Sequence, residues 1–231
     1  MSKRRVPRAQ LLWERHVEGV LRVLRLALEK LHAEVGLPVA EKDLDQRLYL
    51  KARDVYHGLA ASQRPQYFAL VPKSEQAPVD AEDVQGEWLR KKPDFKWRMQ
   101  DDLATTPQGL TRDLDIESKR LGRPTSSRWV LTERYVISGI VRFLSATHRY
   151  GNGARSGAMI GYVQDSEPVK IVREVNTYIR KRIESAIPHL SFPRDYRWRH
   201  GVLKCRQNLD RSQVLPSDFA LHHLWVDLRR N

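Results

Sequence analysis

The stretch that decides the fold is Asp113-Leu-Asp-Ile-Glu-Ser-Lys119. Its charged side chains alternate with apolar or small ones, and this period of two is the pattern of a β-strand. The charged side chains therefore share one face of a half-buried strand, while Leu114 and Ile116 project into the core. Because three carboxylates on one face repel one another, we expect a cation beside them, either Lys119 or a divalent metal.

A second alternating stretch, residues 94–100, predicts a neighbouring strand. The residues between the two stretches include proline and glycine, which are typical of a hairpin loop. In an antiparallel hairpin closed by this loop, Asp94 lies opposite the segment from Glu117 to Lys119. The hairpin would therefore gather two carboxylates and a lysine at one place from two different strands.

This constellation can bind a metal ion beside a phosphodiester. Mg²⁺ prefers oxygen ligands and is usually held by one or two carboxylates together with substrate phosphate. Asp94 and Glu117 would supply the carboxylates, with Asp115 and the backbone carbonyl of Ser118 as further candidate ligands. Lys119 would orient the attacking water or stabilise the developing negative charge. One or two metals are both compatible with the pattern, and the alternative is the charged outer face of an ordinary hairpin.

Helical and strand periodicities alternate through the rest of the chain. This order predicts an α/β or α+β fold. We expect Thr132 to cap the third helix and Asp165 or Ser166 to cap the fourth. The predicted helices are residues 9–35, 41–60, Thr132 to the turn at 150–153, and 166 to Pro188, and the predicted strands are 66–71, 158–163, 196–206 and 219–228.

The first 37 residues are predicted to form a basic N-terminal helix, and residues 38–231 the main domain. Apolar residues recur at helical spacing over 9–35, and Gly36 and Pro38 end the pattern. Such a helix can dock on the core, form a dimer contact or face DNA.

The composition favours a nucleic-acid partner. The 231 residues contain 41 Lys+Arg against 28 Asp+Glu, a formal net charge of +13, and basic domains of this kind are typical of nucleic-acid binders. A chain that is merely basic is the alternative, and an anionic membrane surface is a weaker one.

Cys205 is the single cysteine of the sequence, which excludes an intrachain disulfide. No apolar run is long enough for a membrane span, so we expect a soluble cytoplasmic protein.

The order Pro93-Asp94, then Glu117-Ser-Lys119, resembles the motif of the PD-(D/E)XK nuclease superfamily, whose members share the restriction-endonuclease-like fold. Residues 115–122 and the pattern over 135–163 resemble restriction and phage-defence members. The resemblance covers about residues 41–228. The residue before the lysine is serine here, where many relatives have cysteine or an apolar residue, and it is expected to face away from the site.

This resemblance implies a mixed central sheet flanked by helices, with residues 1–37 as an N-terminal helical extension. It implies that Asp94, Glu117 and Lys119 are the catalytic residues and that Mg²⁺, for which Mn²⁺ can substitute, is the cofactor. An acidic residue on the first core helix often contributes as well. Glu41 is the first candidate for that position and Asp45 the second.

Basic residues near the hairpin are candidates for binding the DNA backbone, since phosphate contacts position a duplex without reading its sequence. They can equally lie in solvent. The candidates are Lys92, Lys96, Arg98, Arg120 and Arg123. Further arginines, which we interpret as a solvated helix face, are Arg134, Arg142 and Arg149.

The sequence therefore predicts a Mg²⁺-dependent nuclease, with DNA as its partner and no membrane contact. The resemblance implies a role in restriction or phage defence, as a homodimer or within a larger complex. A non-catalytic nucleic-acid-binding module is one alternative, and an interaction subunit that docks through residues 9–35 is another. DNA against RNA, and endonuclease against exonuclease action, stay open.

Overall fold

A computed structural model places the predicted hairpin inside one mixed sheet. The described strands follow the order β1-β2-β3-β4-β6-β5. β3 pairs in parallel with β4, and β4 with β6, while the pairings of β1 with β2, β2 with β3 and β5 with β6 are antiparallel. The described residues are 7–76, 86–102, 104, 106, 110–126, 128–183, 187–193 and 196–229.

Helices and strands alternate along the chain broadly as the sequence predicted. Short 3₁₀ turns lie at Ala61–Gln63 and Glu87–Arg90, and a π-helical segment, Val136–Ile140, joins α3 to α4. The order is α1 (Arg8–His32), α2 (Glu41–Gly58), β1 (Leu70–Pro72), β2 (Phe95–Gln100), β3 (Thr111–Leu121), α3 (Leu131–Tyr135), α4 (Val141–Leu144), β4 (Ser156–Val163), α5 (Pro168–Arg182), β5 (Val202–Asp210) and β6 (Asp218–Asp227).

Helices cover both faces of the sheet. α1 and α2 pack on one face, where Ile116 and Ile160 belong to their apolar cluster. The helical run α3–π–α4 and α5 cover the other face, which includes Leu121 and Met159. Neighbouring residues of β3 and β4 thus contribute to opposite layers, as the period of two requires. The predicted mixed α/β architecture with flanking helices is confirmed.

The basic helix α1 is part of the main core. Its apolar stripe, which includes Trp13 and Leu24, is buried in the same cluster as Trp97 of β2. At its end, the ring nitrogen Nδ1 of His32 donates to the backbone oxygen of Asp227 (2.6 Å), the last residue of β6. The apolar face of α1 is therefore occupied by the chain's own sheet, and the division at residue 37 stays a prediction.

Backbone conformation explains the largest error in the strand predictions. The strand expected at 196–206 begins only at Val202. Before it, Tyr196, His200 and Gly201 have φ values of 44°, 49° and 76°. Such left-handed conformations do not fit a strand. The chain therefore turns just before Val202, within the segment that the sequence predicted to be a continuous strand.

The predicted helix caps are also wrong. The residue preceding α3 is Val130, and the one preceding α5 is Glu167, and neither makes a side-chain cap hydrogen bond. Thr132 is buried instead, and its hydroxyl has no hydrogen-bond partner among the described residues. Asp165 Oδ1 accepts hydrogen bonds from Ser166 Oγ (2.8 Å) and from the backbone N–H of Arg123 (2.7 Å).

Parts of two predicted loops, residues 77–85 and the interior of the β2–β3 loop, lie outside the described residues. In the described part of the chain, no helix combines the length and apolar character needed to cross a membrane.

Candidate active site

The β2–β3 hairpin has the pairing predicted from the sequence. Phe95 pairs with Ile116, so Asp94, the residue before β2, lies opposite Glu117. Because β2 begins at Phe95, no residue of β2 pairs with the part of β3 that follows Ile116. The Asp94 carboxylate takes over this role and accepts the Ser118 backbone N–H (2.9 Å).

Carboxylates from separate elements converge on the ammonium group of Lys119. Glu41 is the first residue of α2, so α2, β2 and β3 meet here. The predicted catalytic residues and Glu41 are therefore brought together. Lys119 Nζ donates to Glu117 Oε1 (2.6 Å), Asp94 Oδ2 (3.2 Å), Glu41 Oε1 (3.2 Å) and the backbone oxygen of Ser118.

Ser118 links this site to a further buried carboxylate. Its hydroxyl donates to Asp45 Oδ1 (2.6 Å), which also accepts from Tyr162 OH (2.9 Å). Ser118 lies on the face of β3 opposite Glu117 and Lys119, as expected, but it is not without consequence, because α2 covers that face and carries Asp45. We call Glu41, Asp45, Asp94 and Glu117 the acidic cluster.

The charged face of β3 is buried, so the expectation of a half-buried strand is wrong. The exposed fractions are 1% for Asp115, 0% for Glu117 and 8% for Lys119. The π-helical segment lies directly over this face. A Cβ on Gly139 would overlap the end of the Met159 side chain of β4 and would lie 3.8 Å from Lys119 Cγ, an ordinary contact distance, so this segment packs against both residues. The alternative of a solvated outer face is excluded.

Burial and charge shift the pKa values of the site in opposite directions. Burial raises the pKa of Asp45 to about 7 and that of Glu117 to about 8. Burial would also raise the pKa of Asp94, but the charge of Lys119 lowers it below its ordinary value. For Lys119, the charges of Glu117 and Asp94 outweigh burial and raise its pKa. The ammonium is thus held charged among carboxylates that burial tends to protonate.

Arg142 is a second cation at the site, so the prediction that it belongs to a solvated helix face is wrong. Its Nη1 donates to Glu117 Oε1 (2.5 Å), and its side chain is only 28% exposed. Arg142 follows the π-helical segment, whose wider turn rotates later residues relative to a regular α-helix. An α-helical period of 3.6 residues per turn does not predict this rotation. The positive charge of Arg142 was therefore its only signal in the sequence.

The chemistry of the acidic cluster fits a divalent cation. Its carboxylates outnumber the two cations, Lys119 and Arg142, that contact it. Glu117 Oε2 is buried and has no hydrogen-bond partner among the described residues. Carboxylate oxygens are the donors that Mg²⁺ prefers. No group of three or more His, Cys, Asp or Glu within the described ranges is arranged to hold a metal ion, and the oxygens converge here on Lys119 instead.

Asp115, the further candidate metal ligand, lies in separate surroundings. Its Oδ2 accepts from the Gly151 backbone N–H (2.7 Å) and from Gln76 Nε2 (3.1 Å). Burial raises its pKa to about 6. These contacts tie Asp115 to loops outside the acidic cluster, and we infer a structural role for it.

The candidate DNA-binding residues before and along β2 are engaged elsewhere. Lys96 is only 2% exposed and donates to Gln76 Oε1 (3.1 Å) and to a backbone oxygen. This burial contradicts its assignment to the DNA backbone. Arg98 makes two hydrogen bonds to Asp113 (2.8 and 2.9 Å), and Lys92 pairs with Glu75 (3.0 Å). Of these three, only Lys92 and Arg98 have exposed charged groups.

Arg120 lies at the site itself, whereas Arg123 is not among the described residues that line its cleft. The Arg120 backbone N–H donates to Glu41 Oε2 (3.1 Å), and its side chain lines a cleft of about 460 Å³. Arg123 is exposed, and its backbone N–H donates to Asp165. The cleft reaches Lys119 and is lined by Ala40, Glu41, Lys119, Arg120, Trp129, Leu131, Arg134, Ser138 and Arg142.

Comparisons with protein-family models, curated proteins and solved structures find no match to this chain. Its function is therefore argued from the residues and geometry of the site.

Proposed function

We propose that the protein is a divalent-metal-dependent nuclease that hydrolyses phosphodiester bonds in DNA. One observation carries this proposal. Glu41, Asp94 and Glu117, from three different parts of the chain, converge on Lys119, and Lys119 lines a cleft together with Glu41 and three arginines. A cleft with cationic walls suits a polyanion, and the acids around Lys119 suit a metal that acts on phosphate.

Asp94 and Glu117 would hold Mg²⁺ or Mn²⁺, with Glu41 and the Ser118 carbonyl as further donors. When bound, such a metal polarises the phosphoryl oxygens and lowers the pKa of a bound water. Lys119 would donate a hydrogen bond to the attacking water or to a phosphoryl oxygen, offsetting the developing charge. The water would give up a proton to solvent and bond through its oxygen to phosphorus, while the bond to the leaving sugar oxygen breaks and that oxygen takes a proton from solvent.

The motif Pro93-Asp94, Glu117-Ser-Lys119 supports the same reaction class, since it resembles that of PD-(D/E)XK nucleases. Membership of that superfamily, a restriction-endonuclease-like core and a role in restriction or phage defence belong to this proposal. So do a cytoplasmic location and assembly as a homodimer or within a larger defence complex. The mixed sheet with helices on both faces is compatible with such a core.

A cleavage assay tests the proposal. Plasmid and linear DNA are incubated with the protein in Mg²⁺, Mn²⁺ or EDTA, and the variants Lys119→Ala and Glu117→Gln are compared with wild type. The matched controls are Lys204→Ala and Glu167→Gln, which alter exposed side chains away from the cleft. We expect metal-dependent cutting by wild type and by both controls, and none by the site variants. Cutting that survives in both site variants would refute this active site.

A non-catalytic DNA-binding module is the second candidate. The observation that favours it is that Lys119 already occupies the point on which the carboxylates converge. Such a module would bind DNA with strong salt dependence, because cations on the protein replace counterions on the phosphates. Binding that is unchanged by EDTA, together with an absence of cutting by wild type in any metal, would favour this function.

A further inference from the structure

Trp129 is a large aromatic residue left in solvent at the edge of the candidate active site. It is 46% exposed, whereas Trp13, Trp97 and Trp225 are nearly fully buried. A tight turn presents it, since the Trp129 N–H donates to Ser126 O (3.1 Å). Exposure of so much apolar area is unfavourable in water, so this ring is a candidate contact for a ligand.

A cation holds the ring in place. The guanidinium carbon of Arg134 lies 4.2 Å from the centroid of the Trp129 ring, within the range of cation–π attraction. Arg134 covers one face of the ring, and 46% of the Trp129 surface is still exposed to solvent. The Trp129 side chain is therefore held as a platform before any ligand binds, which reduces the conformational entropy that is lost on binding.

The platform lies in the cleft that reaches Glu41 and Lys119 of the candidate active site. Trp129 and Arg134 line it together with Glu41, Lys119 and Arg142. Among the lining residues that the structure describes, Trp129 is the aromatic one. The cleft thus combines cations that suit phosphates with one flat apolar surface. Nucleotides with an accessible base offer both of these chemical features.

We propose that Trp129 stacks on an unpaired base next to the phosphate that is cut. This inference rests on the proposed nuclease function and names its substrate class as DNA with unpaired nucleotides at the cleavage position. In intact duplex DNA the bases are stacked on one another, so an aromatic platform reaches them only after unpairing. Single strands, overhangs and flaps offer the base directly.

Binding measurements test the inference without requiring cleavage. Fluorescence anisotropy in EDTA gives the affinity of the full chain for a labelled single strand, for a duplex with an overhang and for a blunt duplex. Wild type is compared with Trp129→Ala and Trp129→Phe. The matched control is Tyr67→Ala, an aromatic residue that is 51% exposed outside the cleft. Circular dichroism and thermal unfolding verify that each variant is folded.

We expect Trp129→Ala to weaken binding of the single strand and the overhang by about 5- to 150-fold, the range for loss of one stacked base. Trp129→Phe should retain most of the affinity, and Tyr67→Ala all of it. A strand with an abasic position opposite the platform should bind wild type and Trp129→Ala equally. Equal losses on blunt and unpaired DNA, or no loss, would overturn the inference.

Cleavage separates this inference from the proposed function. If wild type and Trp129→Ala cut blunt and single-stranded DNA with the same metal-dependent rates, the nuclease function stands and the stacking role is wrong. If wild type cuts no DNA in any metal, the nuclease function fails. The anisotropy difference between Trp129 variants would then still decide whether the ring stacks on a base.

Discussion

Lys119 contacts more carboxylates than a single ammonium can neutralise. Its ammonium contacts Glu41, Asp94 and Glu117, and only Arg142 adds a second cation among their described contacts. Buried carboxylates that lose their counter-charge are strongly destabilising. The stability of the site should therefore depend on whichever cation is present.

The first prediction concerns the replacement of that cation. Lys119→Met should lower the free energy of unfolding by about 3 kcal/mol in EDTA, since an ionic partner is removed from buried carboxylates. Mg²⁺ should raise the melting temperature of this variant more than that of wild type, because the metal offsets the same charges. Differential scanning fluorimetry with and without Mg²⁺ measures this. Lys204→Met, at an exposed position of β5, is the control. An equal Mg²⁺ response in all three proteins would contradict the prediction.

Arg142 provides the second prediction. Because it donates to Glu117 Oε1, it orients a carboxylate that would bind the metal. Loss of such an outer partner typically costs about 10- to 100-fold in metal affinity or activity. We expect that loss for Arg142→Ala, read from cleavage rates over a Mg²⁺ titration, and no loss for Arg180→Ala on the exposed surface of α5. A Mg²⁺ profile like that of wild type would count against the role.

Sequence reasoning found the residues whose positions depend on strand geometry. Asp94, Glu117 and Lys119 follow from alternation and from hairpin register, which are regular. It ranked Asp45 second and left Arg142 outside the site. The contacts of these two depend on how helices sit on the sheet, and a π turn is involved for Arg142. Such packing is a tertiary property that one-dimensional periodicity does not encode.

At the scale of elements, two glycines of β4 leave room for aromatic rings that pack against this strand. A Cβ on Gly161 would lie 2.5 Å from Trp225 Cδ1, and one on Gly157 would lie 2.5 Å from Phe143 Cε1. Both rings belong to the apolar cluster on the side of the charged face of β3. Gly161 also pairs with Lys119 across the β3–β4 ladder, so its packing supports the position of the site.

The third prediction follows from this close fit. Gly161→Ala should lower the free energy of unfolding by about 1–3 kcal/mol, the usual cost of overpacking a core, because the Trp225 ring cannot move freely in a buried layer. Gly58→Ala is the matched control, since a Cβ there meets nothing within 4 Å. Urea unfolding measures both variants. A loss of stability in the control, or none in Gly161→Ala, would be inconsistent with this explanation.

Element types were predictable, but several of their ends were not. The apolar patterns of α1, β3 and β4 indicated helix or strand correctly, because these segments are buried along regular periods. The start of β5 was wrong because left-handed residues precede it. The cap of α3 was wrong because Thr132 is buried in the core. Backbone conformation in the first case and burial in the second override what the sequence pattern predicts.

Over the whole molecule, buried histidines connect stability to pH. Burial lowers the pKa of His16 to about 4, that of His222 to about 4 and that of His223 to about 3. In the unfolded chain a histidine titrates near pH 6.5. The folded form therefore keeps these rings neutral while the unfolded chain takes up protons. Their contribution to stability is complete above about pH 6.5 and is lost as the pH falls towards 4.

The fourth prediction isolates one of these groups. His16→Gln should show a shallower fall of the free energy of unfolding between pH 6.5 and 4 than wild type, since one proton uptake by the unfolded chain is removed. His189→Gln, at an exposed position, should follow the wild-type slope. Urea titrations at several pH values give the comparison. The prediction fails if His16→Gln and wild type have the same slope.

The contact between His32 and Asp227, residues 195 positions apart, has a consequence for how the chain is made. α1 is translated well before β6, which it contacts in the folded protein. The part of its apolar stripe that faces β6 must therefore wait for that strand even after α2 and β2 have been made, and apolar surface that is exposed during folding favours aggregation and chaperone binding. A ribosome stalled between these two elements would hold a nascent chain in which α1 lacks this part of its packing surface.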